Sequence, residues 1–111
     1  MITGTGTDSE YDLPSEYALQ QNYPNPFNPT TTVRYSLPEA GTVNITVYNL
    51  LGQPVKTLIN TQQEPGYYTI SWDGADAFGQ QVSSGMYLYK IQVMNGTDTR
   101  YQTVRKMMLM R

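Results

Sequence analysis

Tyr87-Leu88-Tyr89-Lys90-Ile91-Gln92-Val93-Met94-Asn95-Gly96 is the stretch that decides the fold. Tyr87, Tyr89, Ile91 and Val93 recur at every second residue, the period at which the side chains of a strand share a face. Asn95-Gly96 then supplies the chemistry of a tight hairpin turn. A last strand is expected from about Thr99 to Met110. The same alternation recurs upstream. Val33, Tyr35 and Leu37 share one face, with Arg34 and Ser36 opposite. Val43, Ile45 and Val47 face away from Asn44, Thr46 and Tyr48. Tyr68, Ile70 and Trp72 make a third stripe, with Thr69 and Ser71 behind it. Val55 to Ile59 reads as a less regular, bulged strand. The segments between are turn-formers: Pro38-Glu39-Ala40-Gly41, Leu50-Leu51-Gly52-Gln53-Pro54, Glu64-Pro65-Gly66 and the loop from Asp73 to Gly85. No stretch carries useful helical periodicity. The expected fold is therefore all-β, an immunoglobulin-like antiparallel β-sandwich of about seven strands, with Trp72 at the centre of its core.

The sandwich has no disulfide, because the chain has no cysteine. Ten tyrosines in 111 residues suit a thin sheet, since a Tyr buries its ring while its hydroxyl stays polar. Ahead of the strands, Leu19-Gln20-Gln21-Asn22-Tyr23-Pro24-Asn25-Pro26-Phe27-Asn28-Pro29 cannot be helical. Its prolines lack backbone donors and bias their predecessors toward extended backbone. It reads as a strap across a sandwich edge, pinned by Leu19, Tyr23 and Phe27. Residues 1–17, rich in Gly, Thr, Ser and acids, read as a linker or lead-in, and residues 18–111 as the domain.

The composition excludes several functions. There is no histidine, so the commonest general base and the commonest transition-metal ligand are missing. Ser83 and Ser84 have no base beside them in sequence, and no catalytic residue is expected. Asp73 and Asp76 fall short of the six or more oxygens that Ca²⁺ requires, so they read as turn residues, and no metal or cofactor is expected. The net charge of −2, without a basic face, argues against nucleic acid. No run of about twenty apolar residues offers a transmembrane helix. The opening residues do not form a signal peptide, so any export signal is expected upstream on a longer parent chain. The charges are polarised. Asp8, Glu10, Asp12 and Glu16 lie near the start, whereas Arg100, Arg105, Lys106 and Arg111 lie near the end. In Arg105-Lys106-Met107-Met108-Leu109-Met110-Arg111 the apolar residues fall on both faces of a strand. One face is expected in the core and the other either against a partner or, on an edge strand, under a loop of the chain itself.

Together these segments resemble the type A C-terminal sorting domains of the type IX secretion system. Leu19 to Thr31 is similar to their opening motif, through Asn22, Pro24, Asn25, Pro26, Phe27, Asn28 and Pro29. Val47-Tyr48-Asn49-Leu50-Leu51-Gly52 resembles the next motif. Trp72-Asp73-Gly74 with Gly79, Val82, Gly85 and Tyr87 resembles the third, and Lys106 to Arg111 the last. The resemblance covers residues 18–111. It departs at the final position, where many relatives carry Lys and this chain has Arg111, which changes the donor geometry.

The resemblance implies a non-catalytic sorting signal at the C-terminus of a larger secreted protein of Bacteroidetes or related phyla. Its partners would be the outer-membrane translocon and a sortase-like peptidase, and its cargo an upstream domain of the parent chain. Its route would run through the periplasm to the cell surface or medium. Lys106, Met107, Leu109 and Arg111 would be the residues read by the machinery, with pockets for Met and Leu and cations steering the approach.

The Trp-Asp-Gly and Gly-x-Tyr motifs also resemble the Ig-like domain of the flagellar hook-capping protein, a structural assembly module. A third alternative is an accessory spacer or carbohydrate-binding module of a secreted enzyme, with Tyr67 or Tyr48 stacking on sugars.

Overall fold

The computed structural model describes residues 13–111, so most of the expected lead-in, including Asp8, Glu10 and Asp12, lies outside the described residues. Seven strands follow in order: β1 (Ala18–Leu19), β2 (Thr31–Leu37), β3 (Gly41–Tyr48), β4 (Pro54–Gln63), β5 (Gly66–Trp72), β6 (Gly85–Asn95) and β7 (Asp98–Leu109). They form two antiparallel sheets, ordered β1-β2-β5 and β4-β3-β6-β7. The chain thus builds the expected sandwich, with β4 on the edge of β3 rather than beside β5.

The alternating stripes set the core. Val33, Tyr35 and Leu37 from β2 meet Val43, Ile45 and Val47 from β3, and all four members of the β6 stripe are buried. The Trp72 ring lies against Phe27 (centroids 5.7 Å apart) and edge-on to Tyr87 (5.5 Å), and its indole N–H donates to the Ala75 carbonyl at 2.8 Å. That bond lets an indole be buried without an orphaned donor. The Tyr87 hydroxyl, at the start of β6, donates back to the Ser83 carbonyl at 2.7 Å, as in the tyrosine corner of immunoglobulin-like folds.

Three details go beyond the sequence reading. β1 is formed by the first residues of the strap, pairing Ala18 with Ser36 and Leu19 with Tyr35; two residues are too few to show a period. β4 has register shifts opposite Ile45/Thr46 and Val47/Tyr48, which are the irregularity its sequence suggested. It also runs on to Gln63, paired with Gly41, and the exposed polar residues Asn60 to Gln62 left no stripe in the sequence to mark it. The hairpin after β6 is a two-residue loop, Gly96-Thr97, flanked by the pair Asn95 and Asp98.

Candidate functional site

At the end of the sandwich opposite that hairpin, Gly85 pairs with Leu109, Tyr48 pairs with Leu88, and the strap crosses the outer edge of β7. The strap adds backbone to that edge: the Phe27 N–H donates to the Met108 carbonyl and the Met110 N–H to the Phe27 carbonyl, both at 2.9 Å. The peptide bonds before Pro24, Pro26 and Pro29 are cis. Phe27, set between Pro26 and Asn28, thus gives both its N–H and its carbonyl to β7. Side chains add to this cover near Lys106 and Met108. Asn25 Oδ1 accepts from the Met108 N–H at 2.9 Å, Gln21 donates to the Lys106 carbonyl at 2.7 Å, and the Arg105 guanidinium donates to the Leu19 carbonyl.

The strap is tied down inside as well. Asn22 is buried, and its amide side chain donates to the Thr31 hydroxyl and the Pro24 carbonyl. The Tyr89 hydroxyl accepts from the Asn22 N–H at 2.9 Å and donates to the Gln20 carbonyl at 2.7 Å. Burial pushes the Tyr89 hydroxyl pKa up, and the Asn22 amide and the Arg105 charge pull it partly back.

Arg111 closes the same end. Its N–H donates to the Ser84 hydroxyl (2.9 Å), its Nε to the Val82 carbonyl (2.7 Å) and Nη2 to the Gly74 carbonyl (2.8 Å). Gly74 has to be Gly. Its φ is +76°, and an added Cβ would stand 2.8 Å from Arg111 Nη2 and 3.2 Å from the Pro29 carbonyl oxygen. The strap motif, the Trp72-Asp73-Gly74 motif, the Gly85–Tyr87 motif and the terminal segment are therefore one physical cluster.

Asp73 and Asp76 hold turns. Asp73 Oδ1 accepts from the Ala75 N–H, and Asp76 Oδ1 from the N–H groups of Phe78 and Gln80.

The terminal segment departs from one expectation. Met107 and Leu109 lie in the core, so in the folded domain no partner pocket reaches them. Strand alternation puts the odd residues inward. This segment shows solvent Arg105, Lys106, Met110 (55 % exposed) and Arg111, with Met108 partly exposed. The backbone edge of β7 from Lys106 onward is covered by the strap.

Sequence reasoning missed a repeat. Asn49-Leu50-Leu51-Gly52-Gln53-Pro54-Val55 and Asp76-Ala77-Phe78-Gly79-Gln80-Gln81-Val82 share the pattern Asx-x-x-Gly-Gln-x-Val. Both build the same loop. The first residue's Oδ1 accepts from the N–H groups two and four residues on, and the Gly N–H donates back to the first carbonyl. The Gly φ is +82° in one and +84° in the other. The loops touch through the Ala77 N–H and the Val55 carbonyl, and each holds an apolar side chain in solvent, Leu51 (83 % exposed) and Phe78 (91 %).

A family model described as the FlgD Ig-like domain matches residues 27–97. No curated protein sequence matches the chain. Among solved structures, dimeric latent PorU from Porphyromonas gingivalis superposes with a TM-score of 0.66 at 21 % identity, over 86 % of this chain and 9 % of that one. FLGD from P. aeruginosa superposes with a TM-score of 0.59 at 27 % identity, over 71 % of this chain and 61 % of that one. PorZ, described as an essential bacterial surface component of the type-IX secretion system of P. gingivalis, gives 0.49 at 21 % identity, over 98 % of this chain and 13 % of that one. The chain thus spans about a tenth of the PorU chain and less than two thirds of the FLGD chain.

Proposed function

We propose that this chain, which belongs to the FlgD Ig-like domain family, is a non-catalytic sorting module that directs an attached cargo through the type IX secretion system to the cell surface. The observation that carries this reading is where the family match stops. It covers residues 27–97, and the parts outside it include the first half of the strap and all of β7. Those two parts bind each other, through Gln21, Asn25 and Leu19 on one side and Lys106, Met108 and Arg105 on the other. They also carry the opening and terminal motifs of the sorting resemblance. A strap and a last strand that lie beyond the family's common part, and that meet at one end, fit a recognition element added to a general Ig-like frame.

Recognition in this reading is of a folded end rather than of a loose tail. The translocon would meet Lys106 and Met110 beside the exposed strap residues Asn25 and Pro26. Lys106 and Arg105 would steer the approach to an acidic surface, and the held backbone would keep the contact in register.

The test is a fusion of residues 1–111 behind a reporter with a Sec signal, in a host that has the pathway. The intact fusion should reach the surface or medium, and should stay in the periplasm when the translocon is deleted. A hook-capping Ig-like domain in the same position should stay in the periplasm. Lys106→Glu combined with Met110→Asp should keep the domain folded and lower export. Retention of the intact fusion, or equal export of the hook-capping control, would remove the sorting assignment. The second outcome would favour a general assembly module.

A further inference from the structure

The outer face of the β1-β2-β5 sheet carries two adjoining hollows of about 400 and 430 Å³ that share Gln20 and Arg34. Tyr67 lines the first and Tyr23 the second; they are 68 % and 81 % exposed. Their places follow from register. Tyr67 pairs with Ser36 at one end of β2, and Tyr23 bridges to Thr32 four residues away. Four residues of strand separate them by about 13 Å along the sheet. Between the two rings lie hydroxyls and amides: Thr69 opposite Arg34, and Thr32 with its hydroxyl 3.3 Å from that of Ser71. Among the described residues Arg34 is the single charged residue lining either hollow.

From this arrangement we infer that the outer sheet face binds an acidic oligosaccharide. Two exposed aromatic side chains set apart along a polar floor suit stacking on two separated sugar rings of one chain, with hydroxyls and amides between them to bond the sugar oxygens. A protein interface usually has an apolar centre and a polar rim, and here the order is reversed. Arg34 sits midway, where a planar guanidinium meets a carboxylate or a phosphate in bidentate fashion. No carboxylate lines the hollows to repel such a group. The ligand class is thus a saccharide chain with carboxylate or phosphate substituents. Of the two tyrosines named from the sequence for sugar stacking, Tyr67 lines the first hollow and Tyr48 lies in β3, on the other sheet. The hollows take Gln20, Gln21 and Tyr23 from the strap but none of the residues placed against the translocon, and the inference stands whether or not the domain is exported.

The experiment is titration of the full chain, followed by backbone NMR shifts and calorimetry. The probes are hexagalacturonate, a hyaluronan hexamer and a phosphomannan oligomer, with cellohexaose and monomeric galacturonate as comparators. At least one acidic oligomer should bind and shift the resonances of residues 20–23, 32–36 and 67–71, and more tightly than either comparator. Tyr23→Ala and Tyr67→Ala should each weaken binding about tenfold or more without moving the melting temperature. Arg34→Gln should remove the preference for the acidic oligomer over cellohexaose, and the three probes separate carboxylate from phosphate as its source. No binding by any acidic oligomer, shifts that map elsewhere, or affinity unchanged in both Tyr variants would overturn the proposal. So would sedimentation showing that a second copy of the chain covers Tyr67.

Discussion

The two ends of the β6–β7 pair are built in opposite ways. At the hairpin end, Asn95 and Asp98 close a two-residue loop, and the fold there follows from adjacent residues. Arg100 adds surface ion pairs to Glu39 (2.8 Å) and Asp98 (3.1 Å), all three exposed. At the other end the same two strands are finished by residues far away in sequence. Leu19 to Phe27 cover the edge of β7, Trp72 packs between Phe27 and Tyr87, and Gly74, Val82 and Ser84 hold Arg111. The first end costs little to build and little to lose. The second concentrates buried polar groups and large rings, and so it should concentrate sensitivity to mutation.

The largest effect is expected at Trp72. Trp72→Ala empties the space between Phe27 and Tyr87 and should cost about 3–5 kcal/mol, against a total stability of about 5–15 kcal/mol. A denaturant titration should show the domain at or near unfolding. A midpoint close to the parent's would mean that the closed end is not held by its rings.

Gly74→Ala should come next, at about 1–3 kcal/mol, since the new methyl needs a disfavoured φ and meets the Arg111 guanidinium. Arg111→Ala removes that clash, so the double variant should lose less than the sum of the two single losses. Strict additivity would show that the contact with Arg111 plays no part.

Tyr89→Phe deletes the hydroxyl that joins Gln20 and Asn22. It leaves the Asn22 N–H buried without a partner, at about 1–3 kcal/mol. It should also change the response to alkali. The Tyr89 pKa is raised above its ordinary value of 10.0 in the folded state. The stability that goes with the neutral hydroxyl is therefore whole below pH 10 and is lost as pH rises through the folded value. Denaturation midpoints measured from pH 7 upward should fall less steeply in Tyr89→Phe than in the parent above pH 10. Some slope should remain, because Tyr35 is shifted in the same direction by its own burial. Parallel curves would mean that Tyr89 titrates as an exposed phenol.

The smallest effect belongs to the hairpin end. Arg100→Ala should leave the denaturation midpoint nearly unchanged, because exposed ion pairs are screened and cost side-chain entropy. A loss as large as that of Tyr89→Phe would erase the contrast between the two ends.

This contrast also explains what could be read in the sequence. The stripes of β2, β3, β5 and β6 and the hairpin at Gly96 are local patterns, and they were legible. The strap was legible as an extended segment, because three prolines leave little else. Its partner was not, since nothing in Asn25 or Phe27 says that Met108 lies opposite. The terminal segment showed its oddity, apolar residues on both faces, but could not say whether a partner or the chain itself covers the second face. The second face and the edge are covered largely by the chain itself, and Met107 and Leu109 point inward. The paired Asx-x-x-Gly-Gln-x-Val loops were open to a search for internal repeats, since the two heptads agree in their first, fourth, fifth and seventh positions. Tyr89 read only as a core stripe, because periodicity places a ring and is silent about its hydroxyl.

The bonds between the strap and β7 join residues 81 to 86 apart in sequence. Each doubling of a closed loop adds about 0.6 kcal/mol of entropy, so this closure costs about 2–3 kcal/mol more than the hairpin. Contacts of such long range form late and slow the folding of β-sandwiches. The β6–β7 hairpin and its pairing with β3 should therefore assemble first. Until the strap arrives, the outer edge of β7 near Met108 has no backbone partner, and Trp72 lacks the Phe27 ring. In that interval the domain has an open strand end and an uncovered apolar patch, the features by which folding intermediates aggregate or are held by chaperones.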